Sequence, residues 1–361
     1  MTRRRLLLAL ALATPALYLA AAPTPVDPVA WEAPAAPGYA GDFAPNTRLA
    51  TLERRSLGEA RGPEDVTVGP DGALYVTTAD GILVERNGAF VPFARTGGRP
   101  LGLVADADGL YVADAEIGLL RVDRQGAVTR LVTHADGVPL GFTDEVDLAV
   151  DGRVYFTDAS VKFPAAVYGG PLAASVLDMI EHGGHGRLLR YEPATGAVEV
   201  LLADLQFANG VVVAPDASFL LVAETGRYRI LRYELTGPAA GSYRPLVENL
   251  PGFPDNLSRG ADGRYYVGLV APRDAVLDAL AGWPRLRAAV ARLPAALRPA
   301  PKRHGHVVVF DETGRILRSL QDTTGGYAMT TGAVEVGPHL YVTSLTEPDL
   351  GRLPLAAALA D

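Results

Sequence analysis

Glu64, Asp144, Asn209 and Asp255 each stand seven residues ahead of a turn-forming aspartate, at Asp71, Asp151, Asp216 and Asp262. Each also heads an apolar run that reads as a strand. Hard oxygens at matching places in repeated units converge when the units close into a ring. An all-oxygen cage of carboxylates and carboxamides suits Ca2+ better than Zn2+. Three carboxylates packed together would be costly without a divalent ion to balance them. The expected metal ligands are therefore Glu64, Asp144, Asn209 and Asp255, with Asn256 joining Asp255 or bracing it. A single Asp or Asn before a strand more often caps a turn through backbone N–H groups. Recurrence at four of six equivalent positions is what favours ligation.

The equivalence comes from a repeat. From residue 60 onward a short apolar segment, a turn and an apolar strand recur six times. Examples are PEDVTVGPDGALYVTT (63–78), TDEVDLAVDGRVYFTD (143–158), ANGVVVAPDASFLLVAE (208–224) and PDNLSRGADGRYYVGL (254–269). Six antiparallel units predict an all-β fold, a six-bladed β-propeller whose first strands line the central axis. In the second and sixth copies the matching positions hold Leu101 and about Thr330, which leaves a gap in the cage. RLATLERRSL (48–57) is expected to supply the outer strand that closes the ring. The third and fifth copies are long, which predicts short helical insertions near 161–185 and 271–303. The second insertion sets Leu277, Trp283, Leu286 and Val290 beside Arg285 and Arg292. It reads first as helices packed on the propeller, with a lid or a membrane-resting surface as alternatives. Asp71, Asp151, Asp158 and Asp262 read as turn formers or blade stabilisers.

Composition bounds the rest. With 39 Gly and 28 Pro in 361 residues the chain favours many turns over long helices. A net charge of −8 argues against a nucleic-acid partner. The absence of Cys excludes disulfides, a thiol nucleophile and thiolate metal sites. Residues 1–22 stand apart: MTRRR precedes the apolar run Leu6–Ala22, which reads as a signal peptide or an N-terminal membrane anchor. Either places the remainder outside the cytoplasm, free or tethered to a membrane through residues 6–22. Residues 23–47 read as an extended Pro/Ala-rich linker and residues 48–361 as the propeller. Oligomeric state is not written in the pattern.

PVDPVAW, YFTDAS, GRLLRYEPATG, FANGVVVAPD, LLVAET and GFPDNL together carry a resemblance that spans residues from about 25 to 350. The chain resembles the calcium-dependent six-bladed propeller superfamily of gluconolactonases, paraoxonases and strictosidine synthases, in its strictosidine-synthase-like branch. That resemblance implies Ca2+ held by Glu64, Asn209 and Asp255, with Asn256 as the adjacent Asn that some members use. Asp144 falls where many relatives have Asn, a departure that adds charge. The resemblance further implies a calcium-dependent hydrolase of small ester or lactone substrates, with Asp255 as the base that activates water and room for a second, structural ion. The non-catalytic alternative is an exported or membrane-tethered binding module with structural calcium. Strictosidine synthase activity is not expected, because residues 330–333 hold no carboxylate and Glu335 is out of register. His134, His182, His185, His304, His306 and His339 are rival bases that the sequence does not place over the channel. No Ser stands in a G-x-S-x-G setting.

Overall fold

A computed structural model describes residues 17–360. Most of the apolar run expected to be a signal peptide or anchor, residues 6–16, lies outside the described residues. Among those described, no helix is long and apolar enough to cross a membrane.

Alternating β-branched and aromatic side chains broken by Gly turns give six four-stranded antiparallel sheets and one two-stranded ribbon. The blades run Val66–Ala94, Pro100–Val132, Thr143–Leu205, Ala208–Val247 and Gly252–Asp322, and the sixth begins at Thr330. Its fourth strand comes from the other end of the chain: Glu53–Ser56 pairs antiparallel with the strand Asp349–Pro354, Glu53 opposite Arg352. The ring therefore closes through hydrogen bonds between chain ends, which covers the edge of Asp349–Pro354 and leaves the short strand Glu53–Ser56 outermost. Apolar cores sit between adjacent blades, as where Val212, Leu221 and Ile230 of blade 4 meet Tyr265, Val267 and Phe310 of blade 5.

Both insertions leave from the connection between second and third strands. In blade 3 this holds a helix, Pro171–Glu181, and in blade 5 two short helices, Ala275–Ala279 and Pro284–Arg292. Antiparallel order puts that connection at the same end of a blade as the start of its first strand. The helices thus cover the end of the channel where the candidate ligands stand. Ala291, Val290 and Leu277 pack against Ala174, Val176 and Met179, which binds the two insertions into one cap.

The Pro/Ala-rich stretch 23–47 is extended, and it is docked on the propeller rather than free. Val29 N donates to Glu181 O at 2.9 Å and Trp31 N to Ala281 O at 3.1 Å. Val26 enters the apolar cluster under the cap, and Trp31 stacks on His182 at 3.9 Å between ring centroids. Composition alone reads such a stretch as a linker; its three apolar anchors, Val26, Trp31 and Phe43, find partners only when the blades are assembled.

The approach to the third blade is held by a buried ion pair. Asp158 Oδ1 accepts from Gly141 N and Phe142 N, at 3.0 and 2.7 Å, while Arg187 Nη2 donates to Oδ2 at 2.5 Å. Asp158 is fully buried, so Arg187→Met leaves an uncompensated charge. The expected cost is about 3–5 kcal/mol, read as a drop in the urea midpoint with an unchanged slope.

Candidate metal and catalytic site

Each first strand opens with a bulge. In blade 3, Asp144 and Glu145 lie between the pairs Thr143–Asp158 and Val146–Phe156, so two residues oppose Thr157 alone. The same two-against-one step places Leu101-Gly102, Asn209-Gly210, Asp255-Asn256 and Thr331-Gly332. Blade 1 repeats it without a formal pair: Glu64 N donates to Thr77 O and Thr77 N to Asp65 O. Bulges re-aim side chains locally, and here six of them stack two layers around the axis. The first layer is Glu64, Leu101, Asp144, Asn209, Asp255 and Thr331. The sixth position is thus Thr331 rather than Thr330, because the bulge adds a residue after Thr330, whose hydroxyl bonds Leu269 O and His306 O instead.

The second layer alternates side chain and glycine: Asp65, Gly102, Glu145, Gly210, Asn256, Gly332. A Cβ on Gly102 would stand 1.9 Å from Glu145 Oε1, and one on Gly332 would stand 3.2 Å from the Asn256 Cβ. Gly102 and Gly332 leave room for the neighbour's side chain, and Gly210 for the neighbour's backbone, with the Asp255 carbonyl oxygen 2.4 Å from where its Cβ would stand. Threonine hydroxyls then clip one blade to the ring carbonyl of the next. Thr77 donates to Leu101 O at 2.5 Å, Thr157 to Asn209 O at 2.6 Å and Thr331 to Glu64 O at 2.7 Å. Asn256 Nδ2 also donates to Glu64 O, at 3.0 Å.

Glu64, Asp144, Asn209 and Asp255 share one cavity of about 120 Å3, and Asn256 lies just below it. Its walls are apolar: Phe142, Phe207 and Phe253 from the blades, Val176 and Met179 from the blade-3 helix, Leu277 from blade 5. Burial pushes the Glu64 carboxyl up to about 7 and holds those of Asp144 and Asp255 well above the ordinary range, with mutual repulsion adding to it. An Asn209 side-chain hydrogen bond eases Asp255 slightly. Glu64 Oε2, Asp144 Oδ2, Asn209 Oδ1 and Asn256 Oδ1 are buried without a hydrogen-bond partner. Among the described residues, no group of three His, Cys, Asp or Glu forms a metal cluster by itself.

Three residues of this neighbourhood were missed in the sequence. Arg99 is buried 3.6 Å from Glu64 Oε2 and is the one cation ion-paired with a ring carboxylate among the described contacts, while Arg273 and Lys302 line the cavity without pairing to the ring. Three ionised carboxylates against one guanidinium leave a charge of −2, which a divalent cation balances. Asp65 and Glu145, each directly following a ring residue, form the second layer. Their carboxyls are raised chiefly by burial, that of Asp65 to about 7. Asp65 accepts from Val66 N and Leu103 N, and Glu145 from Val146 N, so these acids brace strands. Adjacency to a ring residue was the available signal for both; Arg99 carried none.

The histidines stand elsewhere. Among the described residues none lines the cavity: His182 lies under Trp31, His185 binds Glu181 at 2.6 Å, and His306 binds Ser319 at 2.9 Å. Glu335 is at the far end of the channel, paired with Arg264 at 3.0 Å.

Comparison with known proteins fits this geometry. Residues 144–238 match the strictosidine synthase family and residues 41–85 the strictosidine synthase-like N-terminal family. The adipocyte plasma membrane-associated protein of Rattus norvegicus is 34% identical over 97% of this chain and 98% of its own length. The chain belongs to the strictosidine-synthase-like family. Two solved propellers share the fold of this strictosidine-synthase-like protein. A gluconolactonase from Xanthomonas campestris is 19% identical, with a TM-score of 0.61 over 85% of this chain and 91% of its own. The calcium-binding protein regucalcin from Agrobacterium tumefaciens is 15% identical, with a TM-score of 0.58 over 84% and 93%. Within the strictosidine-synthase-like fold, the sixth-blade ring position of this chain holds Thr331, with no acid aimed into the cavity from that blade.

Proposed function

We propose that the protein is a calcium-dependent hydrolase of esters or lactones, working at the ring of Glu64, Asp144, Asn209 and Asp255. The observation that carries this reading is the set of buried oxygens on Glu64, Asp144 and Asn209 that receive no hydrogen bond at the floor of an apolar cavity. Such atoms are costly unless something positive meets them. The donor set is all oxygen, which fits Ca2+. Asn256 supports it from below, with Nδ2 on the Glu64 carbonyl and Oδ1 open.

When bound, the ion supplies Lewis acidity toward an ester carbonyl. The protein does the rest. Phe142, Phe207 and Phe253 exclude bulk water and hold the apolar part of a substrate. Asp255 takes the proton of an attacking water, and the Asn209 amide orients its carboxylate. Arg99 limits repulsion around Glu64 without touching substrate, since it does not line the cavity. The apolar run Leu6–Ala22, read as a signal peptide or anchor, supports a propeller outside the cytoplasm or on a membrane.

The test is hydrolysis of phenyl acetate and a small lactone panel by the full chain, in calcium and in chelator, beside Asp255→Ala. Activity should fall by at least about a hundredfold in chelator and in the variant, as expected when a general base and a metal are lost. Activity that survives chelation overturns the mechanism. Tight calcium binding with no turnover of any ester replaces the hydrolase with a calcium-pinned binding module.

A further inference from the structure

We propose that the capped face of the propeller, where the cavity opens, rests on a lipid bilayer through the blade-5 insertion. Four large apolar side chains of that insertion are left in solvent: Val276 at 51% exposure, Trp283 at 64%, Leu286 at 49% and Leu297 at 67%. The face also carries Leu172, exposed on the blade-3 helix and part of the cavity wall. A protein that buries its apolar residues between blades has no folding reason to gather these at one end.

Charge runs the same way. Residues 271–303 hold seven Arg or Lys against two Asp, in a chain whose net charge is −8; Arg273 and Arg287 are buried, while Arg285, Lys302 and Arg303 are exposed. Apolar side chains set among basic ones suit the boundary between acyl chains and anionic headgroups. A second copy docking through the same face would set this basic surface against itself.

The chain itself points there. Arg292, on the helix Pro284–Arg292, donates to Leu19 O at 3.0 Å and to Ala22 O at 2.5 Å. The end of the apolar run Leu6–Ala22, residues 17–22, is therefore pinned to the insertion. Leu17 and Tyr18 are exposed beside it. A membrane met at Leu17 and Tyr18 is thereby held next to Trp283, Leu286 and Leu297. On the hydrolase reading, which this placement does not need, an ester dissolved in lipid reaches the cavity without crossing water.

The experiment reads tryptophan fluorescence, not activity, so it stands or falls apart from the hydrolase. The chain has two Trp, so the Trp283 signal is the difference between the full chain and Trp283→Phe. Both proteins are reconstituted in phosphatidylcholine vesicles containing phosphatidylserine, with or without brominated acyl chains. The expected result is a Trp283 signal quenched by the brominated lipid and shielded from aqueous acrylamide. The pair Leu286→Ser and Leu297→Ser, both exposed, should reduce that quenching at least about twofold by removing interfacial apolar area. A Trp283 open to acrylamide and untouched by brominated lipid overturns the proposal. So does a Trp283 shielded from both, which would assign the face to a second copy or another protein.

Discussion

In chelator, the protein is expected to lose thermal stability as pH rises from about 5 to about 8, and calcium is expected to restore it most at the alkaline end. Five carboxyls around the channel have raised values: Glu64 and Asp65 at about 7, with Asp144, Glu145 and Asp255 well above the ordinary range. Burial is the first cause for each. A carboxyl raised in the folded state contributes stability that is whole below its unfolded value. That contribution fades as pH passes the folded value. One carboxyl moved from 4.5 to about 7 represents on the order of 3 kcal/mol. Calcium at a hundred times its dissociation constant returns about 2.7 kcal/mol, and more of it once the ligands are deprotonated. Differential scanning fluorimetry at the two pH values, with calcium and with chelator, reads this directly. A melting temperature flat with pH in chelator, or a calcium gain largest at the acid end, would sink the idea.

Gly102→Ala should damage the channel more than any exposed substitution of equal size. The new methyl would meet Glu145 Oε1 at 1.9 Å and the Glu145 Cα at 2.8 Å. Rotating the carboxylate away relieves the first contact and not the second, so the blade-3 strand must move. Overpacking of this kind costs about 1–3 kcal/mol, and the shift falls on the residue next to Asp144. Both melting temperature and calcium affinity are expected to drop. Gly282→Ala is the control, since a Cβ there meets nothing within 4 Å, and it should leave both unchanged. Equal behaviour of the two variants would mean that the second layer is not packed as described.

The six blades were legible in the sequence because each must bury both faces of its sheet, and that need repeats every blade. The same repetition set Glu64, Asp144, Asn209 and Asp255 in one register, and ring closure carried them to one cavity. The repeat was blind to how blades touch. Thr77, Thr157 and Thr331 look like ordinary strand residues until their hydroxyls reach carbonyls of the next blade. The bulge that moves the sixth position from Thr330 to Thr331 is a difference between two paired strands, invisible in either alone. The Pro/Ala-rich composition of 23–47 gave no sign of its docking, because its partners, Glu181 and Ala281, lie more than a hundred residues away. Arg99 meets Glu64 across two blades and belongs to no motif. By itself the sequence determined the blade count and the register of five of the six ring positions, since these follow from local period and residue type. Tertiary structure alone decided the charge balance, the apolar cap and the inter-blade clips, because each is a contact between segments that meet only when the ring closes.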